Sequence, residues 1–261
     1  MERAVDADAT TDEAVRRVEE YLATLELPDA DPGLEELRGE WVELTDGDAG
    51  GAVDAGAIVS FVAGLTSTHK EDVLNSTLLA QLAANKLCDR EEQTKEWYAK
   101  YHEVLENIGW VVSSFDFSKY TATSSQFEVE KVVLEILGAI ATGPEIAVAI
   151  AILNALKSVS GESKAFKLWD EQTNNGSKGN FQIGTCIESD GNVAMSLGAF
   201  YFKATQVDFQ FLWFKYASDK TEIYKAGQQV VLNEQVYAKV RQQIKDKLGD
   251  KAVDYVANLD I

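Results

Sequence analysis

The C-terminal half of the chain contains segments in which large apolar side chains occupy both odd and even positions. The clearest is Val207–Tyr216, with the sequence VDFQFLWFKY. Successive side chains of a strand point to opposite faces of its sheet, so this pattern predicts a strand that is buried on both faces. A sheet with two buried faces needs helices packed against each of them. We therefore expect a layered α/β fold.

Alternating apolar patterns and turn-forming residues predict further strands around this one. Turns are predicted at Asn174–Gly176, Asp190-Gly191 and Ser218–Lys220. Because short turns join antiparallel neighbours, the sheet is expected to be mostly antiparallel. The predicted strands are Trp110–Phe117, Phe166–Trp169, Asn180–Glu188, Val193–Lys203, Val207–Tyr216 and Ile223–Leu232.

Apolar residues at helical spacing predict five helices after residue 65. The first two form a helical hairpin, and Pro144 fits the first turn of a later helix because its fixed φ suits that position. The predicted helices begin at Thr68 and at Asp89, span Ser125–Thr142 and Pro144–Val159, and run from Asn233 to Gly249. Strands and helices together predict a three-layer α/β/α sandwich with a mostly antiparallel central sheet wrapped by helical layers.

The first 65 residues differ in composition from the rest. They contain 4 Arg, no Lys and 17 acidic residues, a net charge of −13, whereas residues 66–261 carry −6. A capping box at Thr10–Glu13 predicts a helix that Pro28 ends, and Thr45–Gly51 is typical of a flexible linker. We therefore divide the chain into an acidic N-terminal extension, residues 1–65, and an α/β domain, residues 66–261. The extension is either a segment of separate origin or a solvated acidic arm.

Charge and cysteine content exclude several classes of protein. The net charge of −19 argues against nucleic-acid binding, which needs a surplus of Lys and Arg to displace counterions. Cys88 and Cys186 allow at most one disulfide, and His69 and His102 lie far from both in sequence, which argues against a Cys/His zinc site. The N-terminus lacks the apolar core of a signal peptide, and no apolar run reaches the ~18 residues of a membrane-spanning helix. We therefore expect no metal and a protein made soluble in the cytoplasm.

The chemistry-bearing residues do not assemble into a recognisable catalytic site. Only His69 and His102 could serve as the base for a nucleophile, and each lies among charged residues on a predicted helix. Adjacent carboxylates such as Asp170 and Glu171 point in different directions on any regular element. Gly176–Gly179 lacks the spacing of a phosphate-binding loop and precedes a strand. We expect no catalytic residue and no enzymatic activity.

One predicted helix is apolar on all sides. Its central segment, Ile146–Leu153, contains no polar residue. A helix of this kind is either fully buried or enters lipid. Both alternatives stay open from the sequence alone. The candidate membrane-active residues are Ile146, Ile150, Leu153, Phe200, Phe211 and Trp213.

Cys186 lies in a predicted hairpin whose register can be worked out. A two-residue turn at Asp190-Gly191 places Cys186 opposite Met195 and Gly184 opposite Leu197, with all four side chains on one face. The missing side chain at Gly184 leaves room on that face. Cys186 is thus either a plain buried thiol or a thiol beside a cavity that fits a fatty chain. The candidate acyl-binding residues are Cys186, Gly184, Met195 and Leu197.

The order of these segments resembles the Cyt-type cytolytic toxins and their distant relatives, the Evf-type bacterial virulence factors and volvatoxin-like fungal cytolysins. The resemblance covers about residues 110–232, and the segments at Thr68–Leu87 and Tyr98–Trp110 are closer to the Evf-type branch. The segments that resemble the toxins are, in chain order, Phe115–Phe117, Trp169-Asp170, Phe181–Ile183, Asp190–Met195, Leu197–Phe200 and Phe211–Phe214.

The resemblance implies a sheet between two helical layers, no catalysis, and action on lipid or membrane. In the Evf-type branch a cysteine of the sheet carries a fatty acyl chain, and the resemblance implies Cys186 for that role, with no other cofactor. We therefore expect a non-enzymatic, lipid-interacting virulence or toxin-like protein that leaves the cell by a non-classical route or acts on host membranes. The alternative is a delivered or scaffolding module, whose residues 1–65 contact a host protein or the delivery machinery.

Overall fold

The computed structural model describes residues 7–29, 49–112, 116–122, 124–159, 163–173, 175, 177–204, 212–213 and 215–259. Within them the helices are α1 (Ala7–Thr24), α2 (Ser67–Leu87), α3 (Thr94–Asn107), α4 (Val129–Ile140), α5 (Gly143–Ser158), α6 (Lys164–Thr173), α7 (Glu234–Leu248) and α8 (Lys251–Tyr255). The strands are β1 (Gly50–Asp54), β2 (Ala57–Phe61), β3 (Trp110–Val111), β4 (Ser118–Lys119), β5 (Gln126–Glu128), β6 (Lys178–Ser189), β7 (Asn192–Ala204), β8 (Lys215–Ala217), β9 (Thr221–Leu232) and β10 (Val256–Leu259).

The main sheet is built around three long antiparallel strands, β6, β7 and β9. The strand order is β10-β1-β2-β6-β7-β9-β3, with β4 also paired to β9, and β5 and β8 form a separate pair. The β2–β6 pairing is parallel, and the other described pairings are antiparallel. The predicted turn joins β6 to β7, where Asp190 and Gly191 both have positive φ, as a two-residue hairpin turn requires. The mostly antiparallel central sheet is confirmed.

Helices cover both faces of this sheet. On one face, Asn180 of β6 accepts a hydrogen bond from the Tyr98 hydroxyl of α3 at 2.8 Å. On the other face, Phe181 packs edge to face on Trp169 of α6, and the hydroxyl of Thr185 donates to a backbone carbonyl of α5. The layer of α2, α3 and α7 and the layer of α4, α5 and α6 therefore enclose the sheet. This is the predicted three-layer arrangement.

Two of the predicted strands differ from the structure, and most of a third, Val207–Tyr216, lies outside the described residues. Phe166–Trp169 is part of α6, because a four-residue apolar run fits a buried helix face as well as a strand. The predicted strand Trp110–Phe117 is limited to β3 and is followed by β4, and residues 113–115 lie outside the described residues. Of Val207–Tyr216, the structure describes only Leu212, Trp213 and the β8 residues from 215 onward.

The predicted linker between extension and domain is wrong for its C-terminal part. Residues 50–61 form β1 and β2, and their apolar side chains are fully buried in the sheet that continues into β6. The glycine at position 51 is a close-packing residue, since a Cβ there would lie 2.4 Å from the side chain of Ile152. Residue 65 therefore does not mark a break in the fold.

Helix α1 also packs on the domain. Its apolar residues Val18 and Leu22 are buried, and Asp12 forms an ion pair with Lys239 of α7 at 2.8 Å. Because the paired groups are exposed, the apolar contacts supply most of the stabilisation. The helix begins at Ala7, before the capping box predicted from Thr10.

Two truncations test the corrected boundary. A chain that begins at residue 49 keeps β1 and β2, so we expect it to remain folded, with a lower melting temperature from the loss of α1. A chain that begins at residue 66 lacks both strands and exposes the edge of β6, so we expect it to be insoluble or to lose cooperative unfolding. Circular dichroism melts of both chains check this. Equal stability of the two would restore the boundary at residue 65.

Candidate functional site

The hairpin around Cys186 has the predicted register. Cys186 pairs with Met195 and Gly184 pairs with Leu197, and the four residues share the face that meets α2 and α3. The side chains of Cys186, Met195 and Leu197 are buried. The sequence therefore located the thiol correctly within the sheet.

The space predicted over Gly184 is filled. A Cβ at this position would lie 3.2 Å from the sulfur of Met195 and 3.9 Å from Leu197 Cδ1. The thioether of Met195 thus occupies the gap that the glycine leaves, as flexible methionine side chains commonly do in cores. A chain bound here has to displace Met195.

The environment of Cys186 keeps its thiol protonated. Burial raises the pKa of Cys186 well above its usual range, and the nearby carboxylate of Glu145 raises it further. The thiolate is the reactive form of cysteine, so this thiol is inert while the sheet face is covered. Cys88, the other cysteine, is free and half-buried at the end of α2.

The candidate membrane-active residues do not form one surface. Leu153 is buried against the sheet, and Phe200 stacks on Phe181 with ring centroids 5.1 Å apart. Ile146 and Trp213 are half-buried, and Ile150 is 38% exposed. Phe211 lies outside the described residues. Of the five that the structure describes, Ile150 is the one that faces solvent to a large extent.

A surface with no exposed charge surrounds Ile150. The segment from residue 136 to residue 153, which joins α4 to α5, contains a single ionisable side chain, Glu145, and Glu145 is buried. We call the exposed part of this segment the apolar hairpin surface. Its exposed residues are Gly138, Ala139, Thr142, Gly143, Pro144, Ala147, Ile150 and Ala151.

The buried charge of Glu145 is accommodated by a capping box. Its Oε2 accepts hydrogen bonds from the backbone N–H and the hydroxyl of Thr142 at 2.8 and 2.7 Å. A carboxylate in the first turn of α5 also interacts favourably with the helix dipole. This arrangement turns the charge inward and leaves the hairpin tip apolar.

No described helix combines the length and the apolarity that crossing a lipid bilayer requires. The sequence proposal that α5 is either buried or lipid-bound is answered in part. One side of the helix packs on the sheet, and the other side faces outward as apolar surface up to Ala151 and as polar surface from Asn154 onward.

A charged network that the sequence did not indicate joins α2, β6 and α7. The His69 ring lies between Glu188 at 2.7 Å and Glu234 at 3.5 Å. Arg241 donates to both carboxylate oxygens of Asp72, at 2.7 and 2.8 Å. The donor atoms of His69, Asp72 and Glu234 are close enough together to bind a metal ion, but the guanidinium already holds Asp72. We assign the network a structural role in joining the two helices to the end of the sheet.

His102 is the second histidine, and it is part of the core. It lies on α3 and accepts a hydrogen bond from the amide of Gln228 at 2.9 Å when its Nδ1 is unprotonated. Burial lowers the pKa of His102 to about 4. His102 is therefore a buried, neutral histidine that Gln228 and the sheet cover.

Similarity to known proteins is found among solved structures. No protein-family model matches the chain, and no curated protein matches it in sequence. Among solved structures, the Evf virulence factor is similar, with 12% identity and a TM-score of 0.35 over 87% of this chain and 90% of that chain. The activated Cyt2Ba monomer from Bacillus thuringiensis subsp. israelensis is similar, with 13% identity and a TM-score of 0.30 over 52% of this chain and 79% of that chain. These are an Evf and a Cyt protein, two of the three groups that the sequence resembles. A superposition this loose transfers no residue role to this chain.

The low pKa of His102 predicts a loss of stability in weak acid. The unfolded chain binds a proton at this histidine near pH 6.5, whereas the folded chain does so near pH 4, so lowering the pH through this window favours unfolding. Between pH 7 and pH 5 we expect His102 to remove about 2 kcal/mol of unfolding free energy. Urea titrations at both pH values measure this difference.

The matched variant is His102→Gln, which keeps a polar side chain but cannot titrate. Its own loss between pH 7 and pH 5 is expected to be smaller by the same amount. The comparison is needed because burial raises the pKa of Asp54, and that shift acts in the opposite direction. An equal pH dependence of the two proteins would contradict the lowered pKa, because it would show that His102 binds its proton equally readily in the folded and the unfolded chain.

Proposed function

We propose that this protein is a non-enzymatic, lipid-interacting protein of virulence or toxin-like type, and that the apolar hairpin surface is its first contact with a bilayer. The observation that carries the proposal is the absence of exposed charge over an 18-residue segment of a chain with 43 acidic residues and a net charge of −19. Solvated surfaces normally intersperse charges of both signs. An exposed apolar patch marks a contact with a partner or a membrane.

The size of the surface limits how strongly it binds on its own. Most of its exposed residues are Gly and Ala, and burying a full isoleucine side chain supplies only about 1.5–3 kcal/mol. Docking of one closed molecule is therefore expected to be weak and reversible. Firm attachment needs α4 and α5 to separate from the sheet, which would also expose their inner residues, including Leu137, Ile152 and Leu153.

The charge of the protein points to the kind of membrane. Anionic bilayers repel a protein with a net charge of −19. Zwitterionic bilayers carry no such surface potential. We therefore propose a neutral, zwitterionic bilayer as the lipid partner.

The proposal keeps Cys186 as the position for a covalent or bound fatty acyl chain. In its support, the thiol lies on an apolar hairpin face whose filler, Met195, is a flexible side chain. A chain of ~16 carbons buried at ~0.8 kcal/mol per methylene outweighs the packing that Met195 loses. Because the thiol is buried and protonated, acylation has to precede closure of α2 and α3 over the sheet.

A different surface supports the alternative of a delivered or scaffolding module. Exposed acids of α1 include Glu13 and Glu20. Exposed acids are complementary to a basic partner. In this alternative the protein binds such a partner through residues 1–65 and leaves vesicles intact.

Vesicle leakage distinguishes the two functions and tests the hairpin surface. We expect the protein to release dye from phosphatidylcholine vesicles, and Ile150→Glu to lower the release at least tenfold because it places a charge at the point of contact. The matched control is Leu87→Glu, which changes a 58% exposed apolar residue on the opposite helical layer and should leave release unchanged. Equal loss in both variants, or no release by the unaltered protein, would contradict the proposed contact.

Intact-mass spectrometry tests the acyl chain. We expect the purified protein to carry the added mass of one fatty acyl chain, Cys186→Ser to lose it, and Cys88→Ser to keep it. The two variants make the same chemical change, so only the position of the thiol differs. An unmodified mass for the unaltered protein would refute the covalent attachment while leaving the membrane contact untouched.

A further inference from the structure

Several buried polar atoms lack hydrogen-bond partners where α3 meets strands β1, β2 and β6. They are Oδ1 of Asp54, Nε of Arg90, Oη of Tyr101, and both Oε1 and Nε2 of Gln182. Asp54, Tyr101 and Gln182 have no exposed surface, and Arg90 is 8% exposed. Each such atom left unpaired costs about 1–3 kcal/mol, so a group of five requires an explanation.

The sheet register brings two of these side chains to either side of a small residue. Asp54 pairs with Ala57 across β1 and β2, and Ala57 pairs with Gln182 across β2 and β6. Paired residues share a face, so Asp54 and Gln182 lie in one row with only the methyl group of Ala57 between them. The methyl group of Ala57 offers neither side chain a hydrogen-bond partner.

Hydrogen-bond and ring contacts place Arg90 and Tyr101 next to this row. The Gly56 carbonyl accepts hydrogen bonds from both Arg90 and the backbone N–H of Gln182, at 3.3 and 3.1 Å, and the Trp97 ring lies between the guanidinium and the Tyr101 ring, with which it stacks at 5.6 Å. The Tyr98 hydroxyl, which donates to Asn180 at 2.8 Å, is a further partner for Gln182 and Arg90, but one hydroxyl oxygen cannot satisfy all of these groups. The four unpartnered side chains therefore surround one place in the core.

Arg90 is held in position and does not reach Asp54 directly. Its guanidinium donates to the backbone carbonyls of Gly56 and Gln172 at 3.3 and 3.2 Å and lies 4.5 Å from the ring centroid of Trp97. A Cβ at Gly56 would lie 2.0 Å from the guanidinium, so the glycine makes room for it. Asp54 is separately bonded through Oδ2 to the hydroxyl of Thr77.

The unpartnered atoms include both donors and acceptors. Arg90 Nε, the Tyr101 hydroxyl and Gln182 Nε2 donate, while Asp54 Oδ1 and Gln182 Oε1 accept. The positive charge of Arg90 repels a metal cation, and the carboxyl oxygen of Asp54 repels an anion. Water satisfies both kinds of group and typically makes about three hydrogen bonds in such sites.

We propose that Asp54, Arg90, Tyr101 and Gln182 enclose an internal water site, and that the bound water links the guanidinium of Arg90 to the carboxyl group of Asp54. The site joins α3 to β1 and β2, the two strands that the sequence analysis did not predict. It does not depend on the proposed lipid function.

The sign of two stability changes tests this site. Tyr101→Phe and Gln182→Met remove polar atoms with little change in shape. If water fills the site, each variant leaves the water and the remaining groups short of a partner, so we expect the melting temperature to fall by about 2–4 °C or more. If the site is dry, each variant removes an unpaired buried polar group, and the melting temperature stays the same or rises.

Tyr21→Phe is the matched control. The Tyr21 hydroxyl is also buried without a hydrogen-bond partner, but it lies on α1, where it faces none of these four side chains. We expect this variant to keep or raise the melting temperature of the full chain. A fall equal to that of Tyr101→Phe would show that loss of any buried hydroxyl has this effect, and it would overturn the proposal.

Water-¹⁷O magnetic relaxation dispersion on the unaltered protein gives an answer that does not depend on the variants folding. We expect at least one long-lived internal water, and the loss of that contribution in Tyr101→Phe or Gln182→Met. A dispersion with no internal water in the unaltered protein, or with an unchanged number in folded variants, would refute the site.

Discussion

The central strands β6 and β7 are buried on both faces along most of their length, and the rest of the fold follows from this. Twelve and thirteen residues long, they place apolar side chains such as Phe181 and Phe200 on one face and mixed side chains such as Gln182 and Met195 on the other. Neither face is stable in water, so each must be covered by helices. The three-layer arrangement is the result.

Hydrogen bonds and apolar packing hold the helices on both faces of the sheet. The layer of α2, α3 and α7 is positioned by buried hydrogen bonds, including Tyr98 to Asn180 and Gln228 to His102. On the other face, α4 lies close over the backbone, where a Cβ at Gly227 would meet the side chain of Ile136 at 3.0 Å.

The hydroxyls of Thr185 and Ser196 also donate to backbone carbonyls of Glu145 and Ile140 in the α4–α5 layer. If α4 and α5 separate from the sheet for contact with lipid, they therefore lose these two hydrogen bonds as well as the apolar packing.

Structural features that neighbouring residues determine were predicted from the sequence. Features that depend on contacts between distant segments were missed. The Asp190-Gly191 turn sets the β6–β7 register, so the pairing of Cys186 with Met195 followed correctly. The strands β1 and β2 were missed because their glycines and alanines are also typical of a linker. Their role depends on close packing with α5 and on parallel pairing with β6, which is more than 100 residues away.

The network around His69 and the group around Tyr101 combine residues from three or more elements, so no spacing in the sequence indicates them. The filled space at Gly184 likewise depends on the conformation of Met195.

The most direct test of the account is the environment of residue 150 when the protein is bound to lipid. A fluorescent probe attached to a single introduced cysteine at position 150, in a Cys88→Ser background, reports contact with acyl chains through quenching by spin-labelled phosphatidylcholine. The account predicts strong quenching at position 150 and little at a probe placed at position 87 on the opposite layer. Quenching at position 87 alone, or a water-exposed probe at position 150 while the vesicles leak, would contradict it.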